Sequence, residues 1–224
     1  MAFHQKYTAN NNGRDFVIGD LHGMVNEFQK RLEAVAFNPE TDRCFSVGDL
    51  VDRGEDSLAA ARLVLEPWFH AVRGNHEELL IRALREGKAE TLKMWRQNGG
   101  RWGFKWRKPS DAAREAVELL EPLPWVITIE HRSGKRIGIC HAECPVDDWQ
   151  MIEQAEDDKG LSARMLWARE RAQSDSQKKV ENVHRTVHGH TVVPWPMLVG
   201  NALFIDTGAY LGNPLTLLDL DELP

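Results

Sequence analysis

Apolar and polar positions alternate along the first third of the chain in a repeating order. Phe16-Val17-Ile18, Phe45-Ser46-Val47 and Ala71-Val72-Arg73 are short β-like runs that end in Gly19-Asp20, Gly48-Asp49 and Gly74-Asn75. The three polar residues stand 29 and then 26 positions apart, each step about the length of one βαβ unit. Between the runs, Val25, Phe28, Leu32 and Val35 recur at helical spacing, as do Leu58, Ala61 and Leu65; Leu79, Leu80, Ala83 and Leu84 follow the third run. Strands that alternate with helices predict a parallel sheet. Ligands of such sheets bind beyond the carboxyl ends of the strands, where all three Gly-polar pairs fall.

The rhythm changes downstream. Residues 88–108 are less regular, and Ser110 predicts an N-cap for a helix through Leu120, stopped by Pro122 and Pro124. Residues 125–130 and 135–141 alternate around Ser133-Gly134 and predict a hairpin. Residues 161–172 read as a helix, 174–182 as a polar loop, and 185–188, 198–205 and 215–220 as further strands. The expected fold is therefore α/β, with two facing mixed sheets flanked by helices. Residues 1–14 are polar, end in Asn10-Asn11-Asn12-Gly13 and read as a mobile arm, leaving residues 15–224 as a single domain.

Bulk composition narrows the function. With 224 residues and 42% hydrophobic content, one core burying roughly 70% of the unfolded surface is expected. A formal net charge of -6 does not attract a polyanion, so a phosphate site has to create positive potential locally and nucleic acid is an improbable partner. No apolar run approaches the roughly 20 residues that span a bilayer, and none of signal-peptide length opens the chain; a cytoplasmic protein without a membrane partner is expected. Cys44, Cys140 and Cys144 lack C-x-x-C spacing and suit reduced thiols. No Cys is followed six positions later by Arg, and no P-loop or G-x-G-x-x-G is present, which excludes thiolate phosphatase, nucleoside-triphosphate and dinucleotide motifs.

Six residues at strand ends carry metal-ligating chemistry: Asp20, His22, Asp49, Asn75, His141 and His190, with His188 as an alternative to His190. Carboxylate, imidazole and amide oxygen together suit divalent ions such as Mn²⁺, Fe²⁺ or Zn²⁺, and six ligands exceed what one ion with open positions takes from protein. Two ions bridged by one carboxylate fit better, and Asp49, in the middle unit, is the natural bridge. Such a pair clamps an in-line displacement and acidifies a water, which suits hydrolysis of a phosphate ester. A single Gly-Asp after a strand is more often a turn or a cap. Three in register with two His motifs are not expected by that route.

Gly19-Asp20-Leu21-His22-Gly23, Gly48-Asp49-Leu50-Val51-Asp52-Arg53-Gly54 and Gly74-Asn75-His76-Glu77 resemble the three signatures of the metal-dependent phosphoprotein phosphatases, the PPP family, in order and spacing. His141-Ala142-Glu143, Trp167-Ala168-Arg169-Glu170-Arg171, Gly189-His190-Thr191 and Ile205-Asp206-Thr207-Gly208-Ala209 are similar to its short bacterial and phage branch. The resemblance implies a calcineurin-like metallophosphoesterase β-sandwich. It also implies two divalent ions, Mn²⁺ first, with Fe²⁺, Zn²⁺, Co²⁺, Ni²⁺ and Mg²⁺ as substitutes. One ion would take Asp20, His22 and Asp49, the other Asp49, Asn75, His141 and His190. His76 would be the general acid, oriented by Asp52, and Arg53, Arg73 and Arg169 would bind phosphate. Glu143 stands where the branch usually has Asp and bears on the support of His141.

The implied function is a serine/threonine protein phosphatase, extending to phosphotyrosine and to small phosphate esters, that hydrolyses monoesters by direct attack of a hydroxide bridging two metal ions. Two alternatives stand beside it: a symmetrical diadenosine tetraphosphate hydrolase of the same fold, and a non-catalytic binder of phosphoproteins or RNA. The second draws on residues 93–108, where Trp95, Trp102 and Trp106 interleave with Lys93, Arg96, Arg101, Lys105, Arg107 and Lys108 without an acid. Such a segment binds single strands, buries its indoles as a helical cap, or walls the groove and favours acidic partners.

Overall fold

Because successive side chains of a strand point to opposite faces, an uninterrupted apolar strand needs a partner layer on each side. The computed structural model, which describes residues 3–155, 159–174 and 176–223, satisfies this with four layers. In chain order the elements are β1 (His4–Tyr7), β2 (Asp15–Ile18), α1 (Val25–Ala34), β3 (Arg43–Ser46), α2 (Ser57–Arg62), β4 (Phe69–Ala71), α3 (Asn75–Glu86) and α4 (Ala89–Gln97). There follow β5 (Phe104–Lys105), β6 (Lys108–Pro109), α5 (Asp111–Leu120), β7 (Val126–Glu130), β8 (Arg136–Cys140), α6 (Trp149–Glu153) and α7 (Lys159–Trp167). The last strands are β9 (Arg185–His188), β10 (Met197–Val199), β11 (Ala202–Phe204) and β12 (Leu217–Asp219).

A four-stranded sheet, ordered β12-β2-β3-β4, faces a six-stranded sheet ordered β1-β7-β8-β9-β11-β10. β2, β3 and β4 are parallel and β12 joins their edge antiparallel. The larger sheet is mixed, with antiparallel hairpins β7–β8 and β10–β11. Between the sheets lie Val17, Phe45, Ile127, Ile129, Ile137, Ile139, Val187 and Leu203. The opposite faces follow the two-residue period: Phe16, Ile18 and Cys44 pack with Phe28, Leu32, Leu80 and Leu120 of the helices. Val126 and Cys140 pack with Trp149, Ile152, Met165 and Leu166 on the far side. Ser110 caps α5 as expected, its side chain accepting from Ala113 N.

Three local expectations need correction. Part of the expected mobile arm is β1, a parallel edge strand in register with β7; residues 1 and 2 lie outside the described residues. A polar strand pairs here because one edge of the large sheet needs hydrogen bonds: Trp125 and Val126 N–H donate to the Phe3 carbonyl, His4 Nε2 lies 2.8 Å from Thr128 Oγ1, and Tyr7 packs edge-on against Phe45. Asn10 pins the following turn, its Oδ1 accepting from Asn12 and Gly13 N–H. The helix expected through residue 172 ends at Trp167, after which Arg171 N–H turns to Glu143 Oε2 at 2.8 Å. Residues 198–205 are two strands rather than one, turned at Gly200 with φ 63°. In residues 88–108, by contrast, the reading as a helical cap that buries its indoles holds for α4 and fully buried Trp95.

Deleting residues 1–8 is expected to lower stability by about 2–4 kcal/mol, the net worth of the lost ladder and the Tyr7 packing. Urea unfolding of the deleted and full chains measures this; an unchanged midpoint would restore the mobile arm.

Candidate metal centre

The first two strand-end loops are tied to each other before any side chain is considered. Leu21 and His22 N–H both donate to the Asp49 carbonyl, at 3.1 and 2.8 Å, and Gly23 N–H donates to Leu50 O at 2.7 Å. Glu77, in the first turn of α3, holds the second loop from below. Its Oε2 accepts from Asp49 and Gly74 N–H at 2.8 Å each, and its Oε1 from Leu50 and Val51 at 2.9 and 3.3 Å. Burial, and then the neighbouring Asp49 charge, push the Glu77 carboxyl up to about 7 despite those donors. Close approach at Gly74 is obligatory, since a Cβ there would lie 2.3 Å from Asp49 Oδ1. Five residues of this region, His22, Asp49, Asp52, Arg53 and His190, have φ between 43° and 72°, left-handed backbone that non-glycine residues adopt only when surrounding structure imposes it.

These loops bring five of the six expected ligands around a common centre. Asp49 Oδ2 lies 3.6 Å from His22 Nε2 and 4.0 Å from His76 Nε2, and Oδ1 lies 3.4 Å from His141 Nε2. Asn75 Oδ1 is 2.9 Å from His141 Nε2 and 2.8 Å from His190 Nδ1. Among the described residues two ligand groups result, His22-Asp49-His76 and Asp49-His141-His190, with Asp49 common to both. The sixth, Asp20, accepts the His190 N–H at 3.0 and 3.2 Å and lies beside Asp206. Carbonyls fix two rings: Val51 O is 2.9 Å from His22 Nδ1 and Val47 O is 2.7 Å from His141 Nδ1, which turns each Nε2 inward.

The electrostatics call for a cation. Burial pushes His22 and His190 down to about 3, leaving neutral imidazoles, the form that ligates. Asp20 is raised well above the usual carboxylate range by burial and then by Asp206 and Asp49. Burial acts the same way on Asp49, but the imidazoles of His141, His76 and His22 together hold it well below that range. Three buried carboxylates in one pocket each cost several kcal/mol unless compensated. Among the described residues buried His76 Nε2 and His190 Nε2 have no hydrogen-bond partner, so the donor set and its unused atoms fit divalent ions.

The other expected site residues divide. His76 Nδ1 lies 2.8 Å from Asp52 Oδ2. Arg53 reaches the cluster, Nη1 at 2.9 Å from His22 Nε2, with its guanidinium over the Tyr210 ring. Arg169 stands at the rim, donating to His190 O at 3.0 Å, whereas neighbouring Arg171 donates to Lys178 O. Arg73 is tied to Glu78 Oε2 at 2.9 Å and to the Glu121 carbonyl, over the Trp125 ring. His188 is committed elsewhere, with Nδ1 on the Cys140 carbonyl and Nε2 on Thr186 Oγ1. Glu143 contacts Arg171 N–H, so the support of His141 comes from the Val47 carbonyl.

Residues 16–209 match the model of the calcineurin-like phosphoesterases. The chain belongs to this family. Serine/threonine-protein phosphatase 1 of Salmonella typhimurium is 35% identical over 215 residues, covering 96% of this chain and 95% of that protein. A symmetrical bis(5'-nucleosyl)-tetraphosphatase of Erwinia tasmaniensis is 48% identical over 68 residues, which cover 30% of this chain and 25% of that one. Among solved structures, a protein serine/threonine phosphatase from Saccharomyces cerevisiae shares the fold, with a TM-score of 0.62 at 16% identity over 90% of this chain and 70% of that chain. The phosphoesterase is therefore a hydrolase of a metal-dependent family, and the reading as a non-catalytic binder gives way.

Four residues of the phosphoesterase site have no role assigned from the sequence. Glu77 was visible in Gly74-Asn75-His76-Glu77 and Asp206 in Ile205-Asp206-Thr207, but only the fold shows what each touches. Trp95 and Trp102 both donate to Asp52 Oδ1, at 3.0 and 2.7 Å, so the carboxylate that holds His76 is itself held by two indoles. Gly189 offers a test of the metal fit, because a Cβ there would lie 1.9 Å from Asp20 Oδ1. Gly189→Ala is expected to weaken Mn²⁺ binding by at least about tenfold in titration calorimetry; unchanged affinity would remove Asp20 from the metal centre.

Proposed function

We propose that the phosphoesterase is a metal-dependent serine/threonine protein phosphatase that hydrolyses phosphate monoesters, phosphotyrosine included. The observation that carries the reading is the Asp52–His76 pair beside the shared Asp49: Nδ1 is held at 2.8 Å, while Nε2, unpartnered, stands 4.0 Å from Asp49 Oδ2. In this reading Asp20, His22 and Asp49 hold one divalent ion and Asp49, Asn75, His141 and His190 a second, Mn²⁺ being the ion assigned first. When bound, such a pair supplies Lewis acidity to the phosphoryl group and lowers the pKa of a water.

The chain's own residues do the rest. Arg53 and Arg169, already at the cluster, fork onto phosphoryl oxygens, and Arg73 exchanges Glu78 for the same anion. His76 delivers a proton from Nε2 to the leaving oxygen while Asp52 keeps the Nδ1 proton and the ring plane fixed. Three arginines and two divalent ions make the pocket electropositive within an acidic protein. Buried Cys44, Cys140 and Cys144, all free thiols, suit the cytoplasm we assign to it.

The near full-length likeness to a named protein phosphatase supports protein substrates, whereas the higher identity to the tetraphosphatase is confined to 30% of the chain. Parallel assays with Mn²⁺ on a phosphoserine peptide and on symmetrical diadenosine tetraphosphate decide between them. Faster turnover of the peptide is expected, and the reverse order would make the enzyme a tetraphosphatase. His76→Asn is expected to slow phenyl phosphate by about 10²–10⁴, and p-nitrophenyl phosphate, with its better leaving group, less; Trp102→Phe should show the same order more weakly. Equal slowing of both esters would give His76 a positional role instead.

A further inference from the structure

The basic, tryptophan-rich segment divides into a buried part and a projecting part. Trp95 is fully buried and Trp102 half-buried against Asp52, whereas Trp106 is 90% exposed. Trp106 occupies the tip of the two-residue turn between β5 and β6, with Lys105, Arg107 and Lys108 exposed around it. Its φ of 62° places a bulky side chain in the left-handed region, at a turn position that glycine would fill at no cost. Lys105 and Lys108 are direct cross-strand partners, an arrangement in which like charges oppose each other. Many surface cations are paired, as in Arg62–Glu115, Arg85–Glu121 and Lys178–Asp147, but among the described residues Lys105, Arg107 and Lys108, three cations clustered at one turn, form no ion pair. A strained aromatic tip flanked by three uncompensated cations is poorly explained as packing.

The root of this hairpin is part of the site. Arg53 N–H donates to the Gly99 carbonyl at 3.3 Å, and Trp102 donates to Asp52 three residues before Lys105. At extended spacing Lys105 to Lys108 lie at most about 20 Å from Trp102, within reach of residues that flank a bound phosphoryl group. We propose that Lys105, Trp106, Arg107 and Lys108 form a docking arm for an acidic segment of the phosphoprotein substrate adjacent to its phosphorylated residue. An acidic flank neutralises the facing lysines, and Trp106 supplies apolar contact with little side-chain entropy to lose. The overall charge of -6 favours this short, local attraction over binding of a long nucleic acid.

This inference rests on the reading as a protein phosphatase, and the test separates the two. Two phosphoserine peptides, one flanked by Asp and Glu and one by neutral residues, are assayed beside p-nitrophenyl phosphate with the full chain and its Lys105→Gln/Arg107→Gln/Lys108→Gln and Trp106→Ala variants. The full chain should favour the acidic peptide by about tenfold in kcat/KM, chiefly through KM and less at high salt. The triple variant should lose most of that preference and Trp106→Ala part of it, with p-nitrophenyl phosphate turnover unchanged in both. Equal use of both peptides by the full chain, or equal losses on all three substrates, overturns the docking arm alone. Failure to hydrolyse either peptide while the small ester is turned over overturns the phosphatase reading with it. Competition by single-stranded RNA but not by an acidic peptide would make the arm a nucleic-acid contact and overturn the proposal as stated.

Discussion

Asp49 is buried with imidazole nitrogens of His141, His22 and His76 at 3.4, 3.6 and 4.0 Å from its two oxygens, and most of the molecule's local architecture serves that placement. A carboxylate removed from water is costly, and three imidazoles are a weak substitute for solvent. Asp20 and Asp206 add charge of the same sign close by. Divalent ions resolve the conflict, because they turn mutually repelling ligands into a common shell.

Holding this arrangement requires a backbone that regular structure does not supply. Parallel strands β2, β3 and β4 deliver three loops to one edge, Glu77 binds the middle loop through three backbone N–H groups and the third through that of Gly74, and the first loop hangs from the middle one through the Asp49 carbonyl. Left-handed geometry at His22, Asp49, Asp52, Arg53 and His190 is the cost of gathering these side chains from short turns. The rigid sandwich behind, with Val17, Phe45, Ile127 and Val187 between its sheets, lets that strain persist.

The fold was legible wherever apolar period and turn chemistry agreed. The three Gly-polar strand ends, the hairpin at Ser133-Gly134 and the Ser110 cap stand where the pattern put them. β1 was hidden because His4, Gln5 and Lys6 carry no apolar alternation; the strand exists through pairing with β7, a partner more than a hundred residues away. Asp49, His22, Asn75, His141 and His190 were legible as candidate ligands because they follow strands, and the structure brings these five together. The roles of Glu77, Trp95 and Trp102 were not, since each acts on a backbone or side chain distant in sequence. Composition alone could not divide the basic segment; folding does so, burying Trp95 and projecting Trp106.

The central claim is that Asp49 joins two ions. Elemental analysis of the manganese-loaded protein and its Asp49→Asn variant, each freed of loosely held metal, tests it most directly. The account predicts about two ions per chain in the natural protein and fewer than one in the variant, since both sites lose a ligand. One ion per chain in the natural protein, or two in both, would contradict it.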